Sequence, residues 1–150
     1  MDWFVLLTPL LVFAVILLLG FAGCDVIFDL DEVVLPLYLR VRVPAQFTVI
    51  TSRFRWTPPG GQTDEESMLP STPDGPDFVI LSHTLNDNSL GTWEVECSLE
   101  VSDGTTQASA MRRGVFTLNE EARSGTAFFE TTGSPANAFD IRFSGFTPSD

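Results

Sequence analysis

The sequence predicts an all-β protein, an antiparallel sandwich of about seven or eight strands behind one N-terminal apolar helix. Three observations lead there. Between Leu37 and Ser144, apolar and polar residues alternate with period two in segment after segment, which turns one face of each toward a core and the other toward water. Clusters of Gly, Pro, Asn and Asp separate these segments. Ahead of them, from Trp3 to Gly23, no ionisable side chain occurs.

A helix of that length, rising about 1.5 Å per residue, spans about 30 Å, the hydrocarbon thickness of a bilayer. A domain this small has too little surface to enclose a helix that is apolar on every side. Residues 3–23 are therefore expected to be solvated by membrane lipid. Pro9 falls in the first two turns, where a missing N–H costs least. Three forms of the segment stay open. Phe21-Ala22-Gly23-Cys24 resembles a bacterial lipobox, in which small residues precede a cysteine that becomes lipid-modified; the resemblance implies Cys24 as the lipidation site and residues 1–24 as a lipoprotein signal. Phe21 stands where Leu is usual, and no Lys or Arg precedes the apolar run. The second form is an uncleaved single-pass transmembrane anchor, since the run exceeds the roughly 7–15 residues of a signal h-region. The third is a cleaved secretory signal peptide. Arg40 and Arg42, after the helix, favour a cytoplasmic body. The lipobox resemblance and the β-rich body favour an extracytoplasmic one, periplasmic or at the cell surface, and that is the expected localisation.

Residues 25–33 form an acidic connector containing Asp25, Asp29, Asp31 and Glu32. The whole chain carries a formal charge of −12, from 20 acidic residues against 8 basic ones, and all of the basic ones are Arg. Phosphate-tracking surfaces need clustered positive charge, so nucleic acid is excluded as a partner. The same excess opposes contact of the body with anionic lipid, which leaves attachment to the apolar segment. Cys24 and Cys97 are far apart and belong to no CxxC or Cys/His cluster, so cysteine usage leaves the redox compartment open.

The sandwich is expected over residues 34–146, with residues 147–150 as a tail and the chain exposed from Phe146 onward. Leu37, Leu39, Val41 and Val43 alternate with Tyr38, Arg40 and Arg42, and Phe54 and Trp56 alternate with Arg53 and Arg55. Between Thr57 and Asp77 the chain is rich in Pro, Gly and acids, with Met68 and Leu69 as its only large apolar residues. It reads as a long surface loop, functional or disordered, whose interaction candidates are Asp64, Glu65, Glu66, Met68 and Leu69. A short strand follows at Phe78 to Leu81. The clearest alternation runs from Trp93 to Ser102, with Trp93, Val95, Cys97, Leu99 and Val101 on one face and Glu94, Glu96 and Glu100 on the other. Asp103-Gly104 suits a tight hairpin leading into a partner around Thr105 to Met111. Val115 to Leu118, Thr126 to Thr131 and Phe139 to Ser144 complete the set. Asn119 to Arg123 is either one helical turn or a polar connection.

Several of these segments also resemble polycystic-kidney-disease (PKD) and related bacterial immunoglobulin-like modules between Phe54 and Ala110. Phe54-Arg55-Trp56 before Pro59-Gly60-Gly61 is similar to their strand and glycine turn, and Ser82-His83-Thr84-Leu85 to their His-Thr-Tyr segment. Gly91-Thr92-Trp93-Glu94-Val95, continuing through Leu99, Val101, Asp103 and Gly104, matches best, with Trp93 where Tyr is usual. The resemblance covers about half of the body. It implies an Ig-like sandwich used as an extracellular spacer or interaction module, with no catalytic residues to carry over.

Chemistry-bearing residues are few. His83 is the one imidazole available as a base, no GxSxG elbow accompanies it, and a half-exposed strand residue is its simpler reading. Glu94, Glu96 and Glu100 are expected on a hydrated face, where they keep ordinary acidity. Asn86, Asp87 and Asn88 offer oxygen ligands for calcium without EF-hand spacing. Gly60-Gly61 lacks the Lys of a phosphate-binding loop. The expected function is thus a non-catalytic, cofactor-free, membrane-anchored envelope module that binds another envelope protein, as an accessory subunit or in adhesion. A carbohydrate- or calcium-binding surface module is the alternative, and glycan binding would require Trp56 or Trp93 to be exposed.

Overall fold

A computed structural model describes residues 35–150. The expected N-terminal helix, the acidic connector, Cys24 and the lipid-facing residues 3–23 lie outside the described residues. Within them the protein is all-β. Nine strands follow in order: β1 (Leu37–Pro44), β2 (Thr48–Thr57), β3 (Asp64–Ser67), β4 (Ser71–Asp74), β5 (Phe78–Leu85), β6 (Gly91–Ser102), β7 (Gln107–Leu118), β8 (Gly125–Ser134) and β9 (Asn137–Pro148). They form a five-stranded sheet, ordered β4-β5-β1-β8-β9, and a four-stranded sheet, ordered β3-β2-β6-β7.

Alternation decides which residues meet. On β1, Leu37, Leu39, Val41 and Val43 are fully buried, whereas Tyr38, Arg40 and Arg42 between them are half-buried on the outer face. Leu81, Leu85, Ala127, Phe129 and Ile141 complete this inner face. Against it pack Phe54 of β2, Trp93, Val95, Cys97, Leu99 and Val101 of β6, and Phe116 and Leu118 of β7. The Phe54 and Phe129 rings meet across the sheets at 6.0 Å. Burial of the Cys97 thiol, reinforced by the neighbouring Glu96 charge, holds its acidity far below that of a free thiol, so it serves as a small apolar core residue.

The expected hairpin at Asp103-Gly104 forms, with Ser102 opposite Gln107. The Asp103 carboxylate accepts hydrogen bonds from the backbone N–H of Thr106 at 2.7 Å and of Thr105 at 2.8 Å, which holds its pKa below the usual carboxylate range. Gly104 takes φ +94°, a conformation open to glycine at little cost.

Four expectations are corrected. The sandwich has nine strands because Thr57 to Asp77 is not one long loop: β3 and β4 form inside it, in polar residues without alternation, by backbone pairing to β2 and β5. The segments expected at Thr105 to Met111 and Val115 to Leu118 are one strand, since Gly114 continues the ladder opposite Val95. The end is not a free tail either: Gly125 pairs with Pro148, and Phe146 packs on the core with its ring 4.7 Å from that of Phe116. Finally, the sheets are not purely antiparallel. β1 runs parallel to β8, Leu37 opposite Gly125, and a parallel pair needs a long crossover, here supplied by all the strands between them.

The two sheets pinch together at β7 and β9. A Cβ added at Gly114 would lie 2.5 Å from Cγ of Phe143, so the missing side chain admits that ring. Gly114→Ala is expected to destabilise the fragment beginning at Asp25 by roughly 1–3 kcal/mol in urea unfolding, the usual cost of overpacking. A second change, Phe143→Leu, is expected to recover part of that loss. A Gly114→Ala fragment as stable as its parent would contradict this packing.

Candidate functional site

The outer face of the four-stranded sheet carries a row of alternating charge. Glu65 on β3 lies opposite Arg55 on β2, Arg55 opposite Glu96 on β6, and Glu96 opposite Arg113 on β7. Period-two alternation turns all four side chains outward at one level, and strand spacing of about 4.8 Å brings each within reach of the next. Arg55 Nε sits 3.6 Å from Glu65 Oε2, and Arg53 Nη1 lies 3.7 Å from the same oxygen. Arg113 Nε donates to Glu96 Oε2 at 3.0 Å, and Arg55 Nη1 stands 3.8 Å from Glu96 Oε1. The row runs negative, positive, negative, positive.

Glu96 departs from expectation. Sequence alternation put it among hydrated carboxylates, yet it is only 7 % exposed, while Glu94 beside it is open to water. The guanidinium groups of Arg55 and Arg113 cover it from either side. Long Arg stems commonly shield a surface in this way, and the Arg113 hydrogen bond offsets part of the cost of desolvating the carboxylate. A recess of about 130 Å³ opens here, lined by Arg55, Thr57, Thr63, Glu96 and Arg113 among others. Glu96 Oε2 is hydrogen-bonded to Arg113, whereas Oε1 is buried without a hydrogen bond and only faces the Arg55 guanidinium.

Among the described residues, β7 is the last strand of this sheet. Met111 and Val115, two residues to either side of Arg113 on the same face, are 56 % and 59 % exposed. Arg112 turns the other way: its Nε donates to the Ile141 carbonyl at 2.9 Å and its Nη2 to Asp140 at 2.8 Å, tying β7 to β9. Neither Arg113 nor these apolar neighbours stood out in the sequence, because an Arg-rich, weakly alternating stretch gives no sign that it will become a sheet edge.

The loop candidates separate. Leu69 is buried and contributes to the core, its N–H donating to Ser52 Oγ at 2.9 Å, so it is removed from the interaction candidates. Leu69 closes the gap where the chain crosses from β3 to β4. Met68, at φ +59°, is turned outward and 74 % exposed, and borders a groove of about 340 Å³ with Phe47, Val49, Ile50 and Ser71. Asp64 and Glu66 are exposed on β3, and Glu65 belongs to the charge row.

Asn86, Asp87 and Asn88 lie between β5 and β6. Asp87 Oδ1 accepts from Ser89 N–H at 2.9 Å and from Ser89 Oγ–H at 2.6 Å, so this carboxylate shapes its own turn. Among the described residues no group of three acidic, His or Cys side chains is placed to hold a metal ion.

The aromatic residues point mainly inward. Trp93 is fully buried, with Nε1–H donating to the Ser89 carbonyl at 2.9 Å, and Trp56 is half-buried against His83 at 4.9 Å between ring centres. On the outer face of the five-stranded sheet, Arg40 caps the Tyr38 ring at 4.6 Å and Arg42 caps Phe78 at 3.8 Å. Nearby, a hydrogen bond from Arg142 holds the Glu130 carboxyl below its usual pKa.

No protein-family model, curated protein or solved structure matches the chain. The likeness to PKD modules therefore stands on the quoted residues alone.

The charge row makes a quantitative prediction. In a double-mutant cycle, Glu96→Gln and Arg113→Gln are expected to show a coupling of about 1 kcal/mol in urea unfolding, since one partner is shielded and the other lies open to solvent. Simple additivity would show that the row is an accident of side-chain placement.

Proposed function

We propose that this chain is a membrane-anchored, Ig-like module of the cell envelope that binds another envelope protein, as an accessory subunit or in adhesion. The observation that carries the reading is the edge of β7, a strand of 12 residues that is unpaired on one side among the described residues and carries the exposed apolar side chains Met111 and Val115. Soluble proteins usually guard such edges, because unpaired backbone groups recruit other strands. Anchoring is supported by the uncharged run from Trp3 to Gly23, and an extracytoplasmic setting by the lipobox-like Phe21-Ala22-Gly23-Cys24.

The Ig-like reading draws on two packed sheets with a buried tryptophan, Trp93, on a central strand. The 5+4 arrangement and the parallel β1–β8 pair depart from a seven-strand Ig domain.

Purification of the intact, tagged protein from its native membrane in mild detergent is expected to bring down one envelope protein in a fixed ratio. Calcium or glycan binding by the purified chain, with no protein recovered at a fixed ratio, would overturn the reading in favour of a ligand-binding module.

A further inference from the structure

We propose that the open edge of β7 accepts an extended segment of a partner protein whose outward side chains run apolar, acidic, apolar. The inference rests on the protein-binding reading above and names the surface and the chemistry it selects. Its basis is the charge row, which ends at the sheet edge on a cation, Arg113. Glu65, Arg55, Glu96 and Arg113 alternate in sign across β3, β2, β6 and β7, each directly opposite the next. Opposite charges on facing strands attract and like charges repel, so a fifth strand beside β7 is selected to place Asp or Glu against Arg113. Arg113 is ready for it: its side chain is 77 % exposed, against 8 % for that of Glu96.

The flanking positions specify the rest. Met111 and Val115 share the outward face with Arg113, and their exposed surface would be covered by apolar residues two positions before and after the acid. Among the described residues β7 pairs with β6 alone. It contains no Pro to block strand addition, and the charge on its inner face, Arg112, is engaged by β9. The sheet's other edge, β3, is four residues long with three acids, which discourages addition there.

A second copy of this chain is a poor occupant. Each copy carries a formal charge of −12, which opposes self-association. An antiparallel β7–β7 pairing centred on the two arginines would also set Arg112 and Arg113 of one copy against those of the other. The occupant is therefore a strand from a different protein.

The test uses the full-length chain in nonionic detergent with a photo-crosslinking benzoylphenylalanine in place of Val115, and a control with the same group in place of Ile80, on the outward face of the other sheet. The probes are two capped heptapeptides, Thr-Val-Thr-Glu-Thr-Val-Thr and the same sequence with Lys for Glu. The Glu peptide is expected to label position 115 about five-fold more than the Lys peptide, a ratio matching roughly one favourable charge pair. Position 80 is expected to show no preference. Arg113→Glu is expected to reverse the order at position 115, an outcome that misfolding would not produce. Equal labelling by the two peptides, an equal preference at position 80, or an adduct between two copies of the chain would overturn the proposal. Because the peptides require no native partner, failure here is separate from failure to purify one. A native partner that crosslinks from position 80 and not from 115 would overturn the edge assignment while leaving the protein-binding reading in place.

Discussion

Burial of two apolar sheet faces against each other is the constraint on which the rest of this structure depends. Neither face is stable in water, and each strand has only one face to give, so the period-two pattern along every long strand is a condition of folding. β6 shows the consequence most clearly. A slip of one residue would exchange Trp93, Val95, Cys97, Leu99 and Val101 for Glu94, Glu96, Ser98 and Glu100 inside the core. The resulting register also sets what appears outside. Once the inner face is fixed, Arg55, Glu96 and Arg113 have no choice but to meet on the outer one.

A sandwich must also be closed at its sides, and the two sides are closed by different means. On one, the chain passes from β3 to β4 and drops Leu69 into the gap, anchored by Ser52. On the other, Gly114 lets the sheets approach around the Phe143 ring, and Arg112 reaches across to the β9 backbone. These contacts seal the apolar interior. They leave the outward backbone edge of β7 unpaired among the described residues, so a closed core and an open edge coexist at the same strand.

Much of the framework was legible in the residues. Alternation located β1, β6, the second half of β2 and the middle of β9, and Asp103-Gly104 located the longest hairpin, because both signals are local. β3 and β4 were not legible: Asp64-Glu65-Glu66-Ser67 has no apolar face and is a strand only because Arg53 to Trp56 lies beside it. The PKD likeness drew attention to Trp93 and its surroundings, which became the core, and was silent on the edge. The site was largely hidden for the same reason as β3. Glu96 has the same alternation as Glu94 and Glu100, and what sets it apart is the pair of arginines delivered by strands about 40 residues before and 17 residues after it. Pairing between distant strands is a tertiary property, and a single sequence shows which residues face out without showing which of them become neighbours.

The central claim, that β7 is a free edge in a sheet held by core packing, can be read directly from backbone hydrogen exchange along Gln107–Leu118 in the full-length protein. The account predicts slow and fast amides in alternation, the slow ones pointing toward β6 and the fast ones outward into water. Uniformly slow exchange along the strand would contradict it, since every outward N–H would then already have a partner.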